Sequence, residues 1–103
     1  MTQATQEKAP PAWLEVGDEG VTVTLCYKSN FSGVITDKLV MRAPCVRDVN
    51  AAKAAANGDY EKMEMNLFCS LLTASETELV SLKYIDYKRL QAGYFRMVEE
   101  DDV

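Results

Sequence analysis

Leu39–Asp59 reads "LVMRAPCVRDVNAAKAAANGD", and within it the chain changes its period. Before Pro44, Leu39 and Met41 fall on one side, while Lys38, Val40 and Arg42 fall on the other. That period of two is expected of a strand with one buried face. After Pro44, Val46, Val49, Ala52 and Ala56 recur at helical spacing in a narrow apolar stripe. Pro44 marks the switch, because it has no N–H to lose in a first helical turn and holds Ala43 extended. Asp48 falls in that first turn, where the helix dipole favours a carboxylate, and Arg47 or another cation nearby can pair with it. Asn57-Gly58 supplies the stop, since both residues tolerate the left-handed backbone. Alanine buries little surface but lets backbones approach closely. The expectation is a spacer helix wedged between a hairpin and a larger helix.

Working back from this stretch, Val21, Val23, Leu25 and Tyr27 alternate with Thr22, Thr24, Cys26 and Lys28. These β-branched residues predict a first strand over Val21–Lys28. "SNFSG" (Ser29–Gly33) reads as the turn, with Gly33 free to take positive φ. Val34–Arg42 then completes an antiparallel hairpin, which alone is barely stable and needs helices against it. Residues 1–15 carry Pro10 and Pro11 among polar residues and read as a flexible arm, its end pinned by Trp13 and Leu14. Residues 16–98 form one domain, and "EEDDV" at 99–103 is an acidic frayed tail.

Towards the C-terminus, Asp59 is placed to cap a helix on which Tyr60, Met63, Leu67, Phe68, Leu71 and Leu72 make the strongest core stripe in the chain. "SETE" (Ser75–Glu78) fits a capping box before a short helix bearing Leu79, Val80 and Leu82. Asp86 reads as the cap of a last helix with Tyr87, Leu90, Tyr94 and Met97 at helical spacing. Phe95 points about 100° away from Tyr94, so that helix is apolar beyond one stripe. A helix of this kind is either clasped on two sides or exposed to a partner. The predicted fold class is α+β: an N-terminal antiparallel β-hairpin followed by three to four packed α-helices.

Composition narrows the function. The 103 residues suit one domain with a thin core, and 48% hydrophobic with 26% charged residues is ordinary for a globular chain. A net charge of -5 argues against binding a phosphate backbone. Lys38, Arg42 and Arg47 read as a solvated strand face. No signal-peptide core or membrane-length apolar run is visible, so a soluble, intracellular protein is expected. Cys26, Cys45 and Cys69 are widely spaced, and all three read as reduced, small hydrophobic filler. There is no histidine, which removes the Ser/His and Cys/His catalytic pairs and the commonest zinc ligand. Cys45 at a helix start has no base or resolving cysteine near it in sequence. Glu61 and Glu64 lie three apart and read as a solvated acidic face rather than a cation site. Neither a P-loop nor GxGxxG is present. The expectation is a non-enzyme without cofactor or metal.

Taken in order, "LVMRAPCVRDVNAAKAA", "GDYEKMEMNLFCSLLTASETELVSL" and "IDYKRLQAGYF" resemble the Mu-like phage tail assembly chaperones of contractile-tailed phages and prophages. The resemblance rests on Arg42, Pro44, Val46, Arg47, Asp48, Ala51 and Ala52. It continues through Leu72, Thr73, Leu79, Leu82, Asp86, Tyr87, Leu90, Gln91 and Phe95, and spans roughly Val21–Val98. The chain departs from the pattern in a longer polar arm and in a cysteine at position 45. The resemblance implies a chaperone that binds the tape measure protein and keeps it soluble until the tail tube polymerises. It implies residence in the bacterial cytoplasm and absence from the mature virion. It also implies a contact with the tail tube protein where a ribosomal frameshift makes a longer product; self-association is compatible with it. Two other classes stay open on sequence grounds: a small phage or mobile-element regulator that binds protein, and a minor structural tail protein. The side chains that a thin core has least need to bury are Met65, Tyr84, Phe95 and Val98, which are the expected partner-binding residues.

Overall fold

The structure, a computed structural model, describes residues 10–99. Most of the expected arm (1–9) and of the acidic tail (100–103) lies outside the described residues. Strands β1 (Leu14–Val16), β2 (Gly20–Phe31) and β3 (Val34–Arg42) form an antiparallel sheet in the order β1-β2-β3. Helices α1 (Val46–Ala56), α2 (Tyr60–Leu72), α3 (Glu76–Val80) and α4 (Tyr84–Val98) follow. The α+β class and the N-terminal hairpin are as expected. The third strand is additional: Leu14 pairs with Val23 and is buried, so the ordered body includes the end of the stretch read as an arm.

One face of the sheet is the core. Val21, Val23, Leu25, Leu39 and Met41 are all buried there, as the alternation requires. Thr22 and Val40 pair on the opposite face, where Val40 is exposed. Phe68 of α2 fills the space over the sheet, with its ring centroid 5.6 Å from that of Tyr87 and 5.4 Å from that of Tyr94. Helix α4 runs along β2 at close range because residue 93 is glycine. A Cβ there would stand 3.2 Å from Val21, 3.3 Å from Leu14 and 3.4 Å from Val23, all buried.

The hairpin departs from the expected turn. β2 continues through Ser29–Phe31, and the reversal is made by Ser32 (φ 57°) and Gly33 (φ 80°) alone. Two consecutive left-handed residues match the right-handed twist of the strands, which is why such turns close tight hairpins. The extension passes unseen in sequence because the register breaks in mid-strand. Thr24 pairs with Lys38 and Ser29 with Thr36, so Leu25, Cys26, Tyr27 and Lys28 stand opposite Asp37 alone. This is an enlarged bulge of four residues against one, and it leaves backbone donors without ladder partners.

Asp86 answers that need. Its carboxylate, 0% exposed, accepts the Cys26 N–H through Oδ1 (2.6 Å) and the Tyr27 N–H through Oδ2 (3.0 Å). Arg89, one turn on, donates to the Thr24 carbonyl at 2.7 Å. The reading of Asp86 as a helix cap is therefore corrected. Helix α4 has its N-cap at Lys83, three residues before Asp86, and the carboxylate leaves its own helix for the bulge.

Two further expectations shift. Helix α1 packs on α2, and α2 lies against β3, so α1 is an outer layer and not a wedge between hairpin and helix. The face it was expected to touch is already filled by the larger side chains of α2 and α4. Only Ala52 and Ala56 of its stripe are buried, and Val46 is exposed. Of the cysteines, Cys69 packs against the core, whereas Cys26 and Cys45 are exposed and are not core filler.

Asp86→Ala leaves two backbone donors unpaired at about 1–3 kcal/mol each, reduced where water can reach the exposed bulge. A loss of roughly 2–4 kcal/mol in urea unfolding is expected, with Asp86→Asn losing less because one amide oxygen remains. A variant as stable as the parent would show that the bulge does not depend on this carboxylate.

Candidate functional site

The caps that position the helices also position the candidate site. Asp59 accepts the Lys62 N–H at 3.2 Å and starts α2. Ser75 and Glu78 form the reciprocal capping box of α3, at 3.1 and 3.0 Å. Glu78 also reaches beyond its own helix. Its Oε2 accepts the Ser32 N–H at 2.7 Å, tying the hairpin tip to α3. These backbone bonds, from Ser32 first, hold the Glu78 carboxyl below its usual pKa.

Asp48, singled out with its neighbours in sequence, has a structural role. Its carboxylate receives both Arg42 guanidinium nitrogens, at 2.9 and 3.0 Å, and the Cys45 N–H at 2.7 Å. The partner is thus Arg42 on β3 and not the adjacent Arg47. The Arg42 bond, followed by the Cys45 N–H, lowers the Asp48 pKa to about 2. Cys45 occupies the N-cap itself, and Asp48 three residues on reaches back to it.

Helices α2, α3 and α4 leave an open groove of about 420 Å³ between them. Glu61, Glu64 and Met65 line it from α2, where they share a face at i, i+3 and i+4. Leu79, Val80 and Leu82 line it from α3 and the turn after it, and Tyr84, Tyr87 and Gln91 line it from α4. Val80 is 61% exposed and Tyr84 is 73% exposed, so the groove is rimmed by apolar surface that the core does not use. The sequence pattern groups Val80 with the buried Leu79 and Leu82, and this is corrected here; a five-residue helix has one inner face only. Glu64 Oε1 accepts the Tyr87 hydroxyl at 2.9 Å and the Gln91 amide at 3.0 Å. Burial, and then the bond to Glu64, push the Tyr87 hydroxyl well above its usual pKa, so it remains a donor.

Of the four expected partner-binding residues, Met65 and Tyr84 meet in this groove. Phe95 (41% exposed) and Val98 (43% exposed) do not reach it. They lie on the same side of α4 as Tyr84 but about 16 Å and more further along the axis, at 1.5 Å per residue. The Phe95 ring instead meets Tyr94 edge-on at 5.7 Å. Sequence reasoning passes over Val80, Leu82 and Gln91 as site residues, because only the angle between α3 and α4 brings them together. Glu61 and Glu64 stand out in sequence as a pair, but Glu64 is fixed by α4 rather than solvated. Among the described residues no cluster of His, Cys, Asp or Glu is arranged to hold a metal ion. Among the same residues no helix is long and apolar enough to cross a membrane.

A family model described as "Phage tail assembly chaperone proteins, E, or 41 or 14" matches residues 22–99. The match runs from β2 to the end of α4 and so contains the whole groove. No curated protein and no solved structure matches the chain.

Two measurements separate frame from surface. Asp48 titrates near 2 when folded against an ordinary 3.8, so its stabilisation is complete above about pH 4 and fades as pH falls towards 2. The urea midpoint of the parent should therefore drop more steeply over that interval than that of Asp48→Asn; parallel curves would contradict the assignment. Phe68→Ala should cost about 3–5 kcal/mol as a core truncation. Phe95→Ala should cost about 1 kcal/mol, and a loss as large as at Phe68 would place Phe95 in the core.

Proposed function

The chain belongs to the phage tail assembly chaperones, and from that premise we propose that it binds the tape measure protein and keeps it soluble until the tail tube polymerises. The work is non-catalytic. A tape measure protein is a long helical chain, and its apolar stripes need temporary cover. The single observation that carries the reading is the groove between α2, α3 and α4, with exposed Val80 and Tyr84 on its rim and Met65 inside it. Helix-in-groove docking uses this geometry, with apolar anchors on the guest at i, i+3 and i+4. Methionine suits a surface that accepts many sequences, because its unbranched thioether adapts to irregular partners.

Phe95 and Val98 extend the apolar line along α4 and form a second contact region in the same proposal. The chaperone acts in the bacterial cytoplasm and leaves before the virion is complete. Contact with the tail tube protein belongs to a longer, frameshifted product where one is made. The rigid frame has a purpose in this scheme. Caps at Asp59 and Ser75–Glu78 fix helices that border the groove, so binding does not have to order them.

Co-expression with the tape measure protein tests the proposal. The parent should hold it in the soluble fraction and co-purify with it. Val80→Arg and Tyr84→Ala should each reduce capture several-fold, while stability changes by no more than about 0.5 kcal/mol, as for exposed positions. Phe95→Ala should weaken binding by roughly 1–3 kcal/mol if it is an anchor. Undiminished capture by Val80→Arg and Tyr84→Ala together would remove the groove from the function, and recovery of the protein in purified virions would contradict its release.

A further inference from the structure

The groove is not electrically neutral. Two carboxylates, Glu61 and Glu64, line it, and its lining contains no lysine or arginine. Lys83 and Arg89 are held away from it, and Lys88 stands at its rim. Lys83 lies over the Tyr27 ring at 5.9 Å and Arg89 over Trp13 at 4.8 Å, both at the sheet, and Lys88 sits over Tyr84 at 5.8 Å, at the outer end of the groove. On a chain of net charge -5, the groove is thus lined by carboxylates, with one cation, Lys88, over its rim residue Tyr84.

Glu64 is also held in position. Tyr87 and Gln91, one turn apart on α4, both donate to its Oε1, and Oε2 has no hydrogen bond among the described residues. A surface glutamate ordinarily loses rotamer freedom when it grips a guest, but here two bonds have already fixed it. The guest finds a stationary acceptor beside an apolar cleft. A donor, and in particular a cation, is the chemistry that fits.

We propose that the groove takes a cationic amphipathic helix: an apolar side chain enters among Met65, Val80 and Tyr84, and a lysine or arginine one turn away bonds Glu64, with Glu61 adding to the field. This rests on the groove being the docking surface of the chaperone and adds the charge of its guest. An acidic amphipathic helix with the same apolar face is repelled. The preference is electrostatic and partly exposed, so it is screened by salt, with a Debye length of about 10 Å at 0.1 M and about 3 Å at 1 M.

The test uses the full chain and two labelled synthetic helices of about 20 residues, one of leucine and lysine and one of leucine and glutamate, with identical leucine positions. Fluorescence anisotropy at about 50 mM salt should give at least ten-fold tighter binding of the lysine helix, narrowing to less than three-fold near 1 M. Glu61→Gln with Glu64→Gln should abolish most of that preference, since glutamine at 64 still accepts the Tyr87 hydroxyl. Glu61→Gln alone, at an exposed position, should remove part of it without touching the fold. Glu15→Gln with Asp18→Asn, which removes the same net charge outside the groove, should leave the preference intact. Equal binding of the two helices overturns the charge assignment, as does a preference that survives in Glu61→Gln/Glu64→Gln or falls equally in Glu15→Gln/Asp18→Asn. Binding of neither helix overturns it too. Capture of the tape measure protein decides the underlying reading separately: lost in Val80→Arg, the groove stands whatever the helices do; kept in Val80→Arg, the groove itself is wrong.

Discussion

The structure depends on one buried carboxylate. β2 cannot run straight from Gly20 to Phe31 against β3, because four of its residues face Asp37 alone, and the Cys26 and Tyr27 N–H groups are left pointing away from the ladder. An unpaired buried donor costs about as much as several methylene contacts provide. Asp86 supplies both acceptors from the first turn of α4, so the bulge and the helix fix each other. The consequences run outward along α4. Arg89 lands on the Thr24 carbonyl, and Gly93 lands on Val21 and Val23, where a Cβ would crowd both side chains by a few tenths of an ångström. With its inner side committed in this way, α4 turns Tyr84, Tyr87 and Gln91 towards α2 and α3, and the groove follows.

Two further carboxylates, Glu78 and Asp48, each join a helix cap to the hairpin. Glu78 caps α3 and holds the Ser32 N–H at the hairpin tip. Asp48 caps α1 and grips Arg42 at the end of β3. A domain of this length has too little apolar interior to orient every element by packing alone. Directional bonds to charged groups are shorter and stronger than neutral ones, so a few of them set angles that a thin core would leave loose. Asp48, Glu78 and Asp86 therefore sit in the frame, while the groove joins apolar residues with unremarkable local patterns to Glu61 and Glu64.

That division explains what can be read in advance. The alternation from Val21 and from Leu39, the stripe of α2, and the stops and caps at Asn57-Gly58, Asp59 and Ser75–Glu78 are all local, and each is legible except at Tyr27 and Tyr60, which the patterns count as core and which are exposed. β1 escapes notice because three residues carry too short an alternation to register. The run of β2 beyond Lys28 is hidden because a bulge interrupts the very period by which strands are recognised. Asp86 looks like a cap because a carboxylate before an amphipathic stripe usually is one; its partners are some sixty positions away in sequence. The candidate site is half legible. Met65 and Tyr84 stand out as side chains without an evident core role and do meet, whereas Phe95 and Val98 share only the helix side. Val80 and Glu64 need the fold, since what matters is the angle between helices.

The shallowness of the groove has a physical consequence for the proposed function, in which the chaperone lets its client go. A space of about 420 Å³ admits one or two large side chains, not a whole helical face. Anchors of this kind contribute about 1–3 kcal/mol each, which, after the cost of association, leaves one copy with modest affinity. Under the proposed function, a long helical client would present its stripe many times over, so many copies could cover it while each exchanges on its own. In the proposed scheme release would need no dedicated switch: tube subunits polymerising along the client would displace copies one at a time, each against a small free energy. A deeper, enclosed pocket would bind one segment tightly and would obstruct that progression. Val80 and Tyr84 are open to solvent in the free chain, and the folded frame does not need them covered. The same exposure that makes them inexpensive to leave bare makes them simple to vacate.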